Sequence, residues 1–231
     1  MRMADSRPTL LLVHGAWMHS WVWDGVTPIL AQDGWQVRLV DLPTTASQGA
    51  GNFGLYDDAA LVSDCIAAID TSVVVVGHSY GGAVVSEAAA DHANVAHLVY
   101  VCAFQLDAGE SLLAAAGGTP LPWWVIDGNQ MTVSEPMRLF FNDIAVDDAE
   151  RASMRLQPFS YPAVTQPLTR AAWRTVPSTY VICERDTAFG QGQDVFAARA
   201  SEVRRLPSGH SPFLSVPTEL AHTIAEAAMT R

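Results

Sequence analysis

Short runs of aliphatic and β-branched residues alternate along the chain with longer amphipathic stretches. Thr9–His14, Gln36–Asp41, Val73–Gly77, His97–Ala103, Thr179–Glu184 and Glu202–Leu206 read as strands. The run Val73-Val74-Val75-Val76 offers apolar side chains to both faces, the pattern of a central parallel strand covered by helices. Ser20–Gln32, Tyr56–Ile69, Ser79–Asp91 and Pro217–Met229 read as helices, the last with Pro217 at its start and Leu220, Ile224 and Ala228 on one stripe. Strand followed by helix, repeated, predicts an α/β fold with a mostly parallel central sheet and helices on both faces.

One stretch breaks the rhythm. From Asp107 to Trp173 the strand pattern stops, and Pro120, Pro122, Pro136, Pro158, Pro162 and Pro167 punctuate short amphipathic pieces. Structureless loops of that length are rare. Residues 107–173 are therefore expected to form an insertion, a lid folding over the carboxyl edge of the sheet, where open α/β sheets bind ligands. Residues 1–106 and 174–231 are then the core.

Chemistry concentrates at the strand ends. Gly77-His78-Ser79-Tyr80-Gly81 fits G-x-S-x-G and falls between a predicted strand and a predicted helix. A strand that turns at once into a helix strains its corner residue, and flanking glycines remove the side chains that would collide there. Ser79 would project above the sheet at the positive end of a helix dipole. A serine hydroxyl is a weak nucleophile at neutral pH, so it needs a histidine to take its proton and a carboxylate to hold that histidine in one tautomer. Asp186 and His210 follow the fifth and sixth predicted strands, which sets the order Ser79, Asp186, His210. Asp107 and Glu184 compete with Asp186 for the acid role. Ala16, in His14-Gly15-Ala16-Trp17 after the first strand, and Tyr80, next to the nucleophile, are the expected oxyanion donors through their backbone N–H groups. His14 and His78, beside glycines at strand ends, are read as structural.

Two other patterns lead away from this chemistry. Gly49-Ala50-Gly51-Asn52-Phe53-Gly54 satisfies G-x-G-x-x-G but lies several residues beyond the preceding strand, whereas a dinucleotide site needs its glycines at the strand-to-helix turn. His14 and His19 lack a carboxylate motif, and no metal or other cofactor is expected.

Composition narrows the partners. The 231 residues are 49% apolar and 16% charged, enough for one soluble domain without disulfide or metal support. Thirteen arginines against 24 acidic residues give a formal charge of −11, and there is no lysine. Nucleic acid and anionic membranes would be repelled, and lysine-based Schiff-base or P-loop chemistry is excluded. Cys65, Cys102 and Cys183 are odd in number and widely spaced, and the N-terminal apolar run Leu10–Val13 is too short for a signal core. The expected setting is cytoplasmic and the expected partner a small-molecule substrate. A homodimer is left open.

Five segments resemble the α/β-hydrolase superfamily, and within it the plant methylesterase and hydroxynitrile lyase branch with its bacterial esterase relatives. They are Leu12-Val13-His14-Gly15-Ala16-Trp17, Gly77-His78-Ser79-Tyr80-Gly81-Gly82, Leu98-Val99-Tyr100-Val101-Cys102-Ala103-Phe104, Tyr180-Val181-Ile182-Cys183-Glu184-Arg185-Asp186 and Gly209-His210-Ser211-Pro212. The resemblance implies a Ser79, Asp186, His210 triad under a helical cap. It also carries a departure: Ser211 stands where the hydroxynitrile lyases have a lysine that helps hold departing cyanide, which disfavours cyanohydrin cleavage. Hydrolysis of a small carboxylic ester or lactone through an acyl-enzyme is the leading expectation. A non-hydrolytic enzyme using the same three residues and a ligand-binding protein with little turnover are the alternatives, because fold alone does not separate them. Trp17, Phe104, Trp123, Trp124, Met131 and Phe140 are the candidate substrate-binding residues, suited to a modest apolar group.

Overall fold

The computed structural model describes residues 7–230. Its strands are β1 (Thr9–Val13), β2 (Val37–Val40), β3 (Val73–His78), β4 (Val95–Val101), β5 (Trp124–Asp127), β6 (Gln130–Val133), β7 (Phe159–Ser160), β8 (Ser178–Cys183) and β9 (Glu202–Leu206). The α-helices are α1 (Thr27–Gln32), α2 (Leu55–Ala67), α3 (Gly81–Ala88), α4 (Leu112–Ala115), α5 (Pro136–Phe140), α6 (Val146–Ser153), α7 (Tyr161–Thr165), α8 (Gln193–Ala197), α9 (Pro212–Ser215) and α10 (Pro217–Met229). Six strands form one parallel sheet in the order β2-β1-β3-β4-β8-β9. Every residue of β1, β3 and β8 is buried, as two-sided helical cover requires. The chain runs outward from β1 to β2 and then returns to place β3 on the other side of β1. The carboxyl ends of β1 and β3 therefore flank the point where strand order reverses, the crevice in which open α/β sheets hold ligands.

Backbone geometry at this edge is unusual. Trp17 (φ +63°), Ser79 (φ +52°) and Cys102 (φ +35°) are the non-glycine residues with left-handed backbone among the described residues. They follow β1, β3 and β4, three neighbouring strands. Such backbone costs on the order of 1–3 kcal/mol per residue and persists only where the surroundings hold it. The glycines around Ser79 serve a different need: a Cβ on Gly81 would lie 2.6 Å from the His14 carbonyl oxygen, and one on Gly77 would lie 2.7 Å from that of Gly81. Close approach of α3 to the sheet thus requires them. The left-handed turn also delays the helix expected from Ser79, which begins at Gly81. The helix expected over Ser20–Gln32 is split into a 3-10 segment, Ser20–Gly25, and α1, because Pro28 lacks an N–H and starts a new helix.

The insertion contains strands as well as the expected helices. β5, β6 and β7 form a small antiparallel sheet beside short helices α4 to α7. Asp127 pairs with Gln130 across the two-residue turn Gly128-Asn129, where Gly128 takes φ +57°. That is the turn chemistry of a tight hairpin. A bridge between Thr45 and Phe159 ties the sheet to the loop after β2. The glycine-rich segment 49–54 is explained by the same docking, since a Cβ on Gly51 would meet Asn129 and one on Gly54 would meet Gln166. The Leu55 N–H donates to Gln166 Oε1 (2.6 Å) and the Tyr56 hydroxyl to the Pro167 carbonyl (2.7 Å). At the far hinge the buried Glu87 of α3 accepts the N–H groups of Thr169 (2.7 Å) and Arg170 (3.1 Å). Among the described residues no helix is long and apolar enough to cross a membrane.

Candidate active site

Ser79 sits on the turn between β3 and α3, with its N–H donating to the Val101 carbonyl (3.2 Å) and its carbonyl accepting the N–H groups of Gly82 (3.1 Å) and Phe104 (3.0 Å). Three hydrogen bonds thus hold the left-handed corner. Its Oγ lies 3.1 Å from Nε2 of His210, and Nδ1 of His210 lies 2.8 Å from Oδ2 of Asp186. All three residues are buried. Oδ1 of Asp186 accepts the N–H groups of Ala188 (2.8 Å) and Phe189 (3.1 Å), so the carboxylate is fixed on both oxygens. Phe189 stacks on the His210 ring at 5.7 Å, and Phe140 approaches at 5.4 Å. The imidazole is left with its edge toward Ser79.

The other acids lie elsewhere. Asp107 pairs with Arg174, which holds its carboxyl below the ordinary carboxylate range, and Glu184 is exposed. His78 donates Nε2–H to the carbonyl of His210 (2.8 Å) and so shapes the loop carrying the candidate base. Burial pushes its ring well below the usual histidine range. His14 donates Nδ1–H to the Gly15 carbonyl (2.8 Å) while Nε2 accepts the Leu42 N–H (2.9 Å). Burial lowers its pKa to about 4. His14 comes near His19 and Asp41, but both its nitrogens are committed to backbone, which leaves it no lone pair for a metal. The N–H groups of Ala16 and Tyr80 have no protein acceptor among the described residues, and both residues border the same cavity as Ser79.

The sequence profile of the alpha/beta hydrolase family matches residues 10–223. The chain belongs to the alpha/beta hydrolase family. It is 26% identical over 242 residues to the alpha/beta hydrolase nvfD of Aspergillus novofumigatus, covering 96% of this chain and 97% of that one. It is 28% identical over 248 residues to the pyrethroid hydrolase of Sphingobium wenxiniae, covering 95% and 87% respectively. The crystal structure of polyneuridine aldehyde esterase superposes with a TM-score of 0.82 at 23% identity, covering 95% of this chain and 98% of that one.

In this alpha/beta hydrolase a cavity of about 430 Å³ opens above Ser79 and His210. Trp17, Phe104, Trp123, Trp124, Met131 and Phe140 all border it. Trp17 links core to insertion: its indole N–H donates to the Met131 carbonyl (3.0 Å), its ring stacks on Phe140 at 5.5 Å, and its carbonyl accepts the Gln157 N–H (2.9 Å). Sequence reasoning missed several neighbours. Phe189 lies three residues past Asp186, so its loop position was a usable signal. Asn142 and Asp143 reach from the insertion to the Arg185 carbonyl (2.9 Å) and the Gly209 N–H (2.5 Å), clamping both loops that carry Asp186 and His210. Asp58 is buried beneath Tyr80, whose hydroxyl donates to it (2.6 Å), and burial raises its carboxyl to about 7. No local pattern announces these contacts.

Proposed function

We propose that the chain is a serine hydrolase that cleaves a small carboxylic ester or lactone through an acyl-enzyme. The observation that carries this reading is the continuous relay from Ser79 Oγ through His210 to Asp186, at 3.1 and 2.8 Å, on the floor of a largely apolar cavity. Ser79 Oγ attacks the substrate carbonyl as its proton passes to Nε2 of His210, and Asp186 holds the resulting imidazolium. The Ala16 and Tyr80 N–H groups receive the oxyanion. Nε2 then gives its proton to the departing alkoxide. Water, deprotonated by the same nitrogen, attacks the acyl carbonyl and frees Ser79. Residues 107–173 act as the cap that excludes bulk water from this sequence. Relatives named pyrethroid hydrolase, carbendazim hydrolyzing esterase and methylesterase support an ester or related acyl substrate.

A fluorophosphonate probe followed by intact mass, together with nitrophenyl acetate burst kinetics, tests the reading. A covalent adduct on Ser79 and a burst followed by steady turnover are expected. An adduct without nitrophenol release would favour a non-hydrolytic enzyme on the same residues. Neither adduct nor release would favour a binding protein and overturn the proposal.

A further inference from the structure

The cavity wall carries one feature the hydrolytic sequence does not use. Beside His210 three aromatic rings cluster: Phe189 on His210, Phe104 at 4.4 Å from Phe189, and Phe196 at 5.6 Å from Phe104 and 6.1 Å from Phe189. The Arg199 guanidinium lies 5.6 Å from the Phe196 ring and does not contact His210, yet it borders the same cavity, as does Glu110. Arg199 is fixed as a fork. Its Nη1 donates to the Gln105 carbonyl (2.8 Å) and Glu110 Oε2 (2.6 Å), and its Nη2 to Glu110 Oε1 (2.8 Å). Glu110 Oε2 also accepts the Asp107 N–H (2.8 Å), so both carboxylate oxygens are engaged. A guanidinium has five N–H donors. The Nε–H and one Nη2–H of Arg199 remain without a protein acceptor among the described residues.

We infer that Arg199, held by Glu110, forms a distal subsite for a neutral hydrogen-bond acceptor, so that the preferred substrate is an ester whose apolar body ends in a carbonyl or ether oxygen. This rests on the ester-hydrolase reading and names its substrate class. Apolar pockets take their orientation and specificity from a few placed polar groups, and Arg199, 21% exposed, keeps these two donors open where it borders the cavity. The acceptor is neutral because the ion pair is already balanced: a substrate carboxylate reaching Arg199 would also face the carboxylate of Glu110. The chain's formal charge of −11 disfavours an anion as well.

The test compares nitrophenyl esters in matched pairs along a series of chain lengths, with a methylene, a ketone or a carboxylate near the distal end. In the wild type, kcat/KM for the ketone member at the favoured length is expected to exceed its methylene partner by on the order of 10-fold, with the carboxylate member slower than the ketone. In Arg199→Lys the ammonium keeps its pairing with Glu110 and Gln105 but has no donors to spare, and the preference for ketone over methylene should collapse to about unity. The double variant Arg199→Met with Glu110→Gln should do the same. A merely structural ion pair would change stability or overall rate and leave the ratio alone. Equal rates for ketone and methylene at every length in the wild type, faster cleavage of the carboxylate member, or a ratio that survives in Arg199→Lys would each overturn the subsite. The wild-type comparison decides even where a variant fails to fold. Hydrolysis of esters with no ratio sinks the subsite alone, whereas no hydrolysis and no adduct on Ser79 sinks the ester reading with it.

Discussion

Replacing Asp186 by asparagine preserves shape and packing but reverses one hydrogen bond, and the structure says which one. Oδ1 of Asp186 accepts two backbone N–H groups, from Ala188 and Phe189, while Oδ2 faces Nδ1 of His210. An asparagine has one oxygen and one amide group to share between these positions. Turning the amide toward Ala188 and Phe189 would leave two backbone donors unsatisfied, at about 1–3 kcal/mol each. The oxygen therefore stays with the backbone and the amide points at Nδ1. A donor there requires Nδ1 to be unprotonated, which moves the imidazole proton to Nε2, opposite Ser79 Oγ. The base then has no lone pair for the serine proton. The loss of kcat should approach ~10⁴, or about 5 kcal/mol of transition-state stabilisation. Stopped-flow burst kinetics with nitrophenyl acetate measures the acylation step directly, and circular dichroism checks the fold. Asp107→Asn is the control, because that carboxylate is engaged with Arg174; its loss should be under about 10-fold. A fall of less than about 10-fold for Asp186→Asn, or a larger effect at Asp107, would refute the tautomer argument.

Ser79→Ala and Ser79→Gly should each lower kcat by about 10⁴ to 10⁶. They should differ in stability, because alanine keeps the strain of φ +52° and glycine relieves it. Calorimetry should place the Ser79→Gly melting temperature about 2–4 °C above that of Ser79→Ala; equal values would show that the corner is not strained. Asp58 supplies a pH test. Burial raises its carboxyl from 3.8 to about 7 against the opposing hydrogen bonds from Thr44 and Tyr80. The folded state thus binds the proton more tightly than the unfolded state, so this contribution to stability is complete below about pH 4 and is lost as pH rises through about 7. Asp58→Asn lacks the loss. Urea unfolding should show the variant gaining on wild type by about 4 kcal/mol between pH 4 and pH 8, and a difference independent of pH would remove the claim.

What was legible in the sequence was whatever the chain encodes locally. The strands of the main sheet announced themselves through short runs rich in aliphatic and β-branched residues, unbroken in Leu10–Val13 and Val73–Val76, and Ser79 through glycines that exist because α3 must approach the backbone of His14. The small sheet of the insertion did not, since β5 and β6 are four residues each and show only brief alternation. Asp57 and Asp58 mark the same difference at adjacent positions. Both read as acidic residues in the first turn of a helix, where they favour the dipole. Asp57 does this, accepting the Gly54 N–H at 2.7 Å, while Asp58 is turned inward onto Thr44 and Tyr80. One helical step of 100° separates solvent from core: Asp58 falls on the buried stripe with Leu55, Ala59, Val62 and Ile66, but its partners Thr44 and Tyr80 come from other elements that no local pattern announces. The left-handed residues divide in the same way. Ser79 lies among glycines and could be read. Trp17 could not, because its backbone carbonyl is held by Gln157 and its indole N–H by Met131, both from the distant insertion. By fixing Trp17, the insertion therefore shapes the loop that carries the Ala16 N–H.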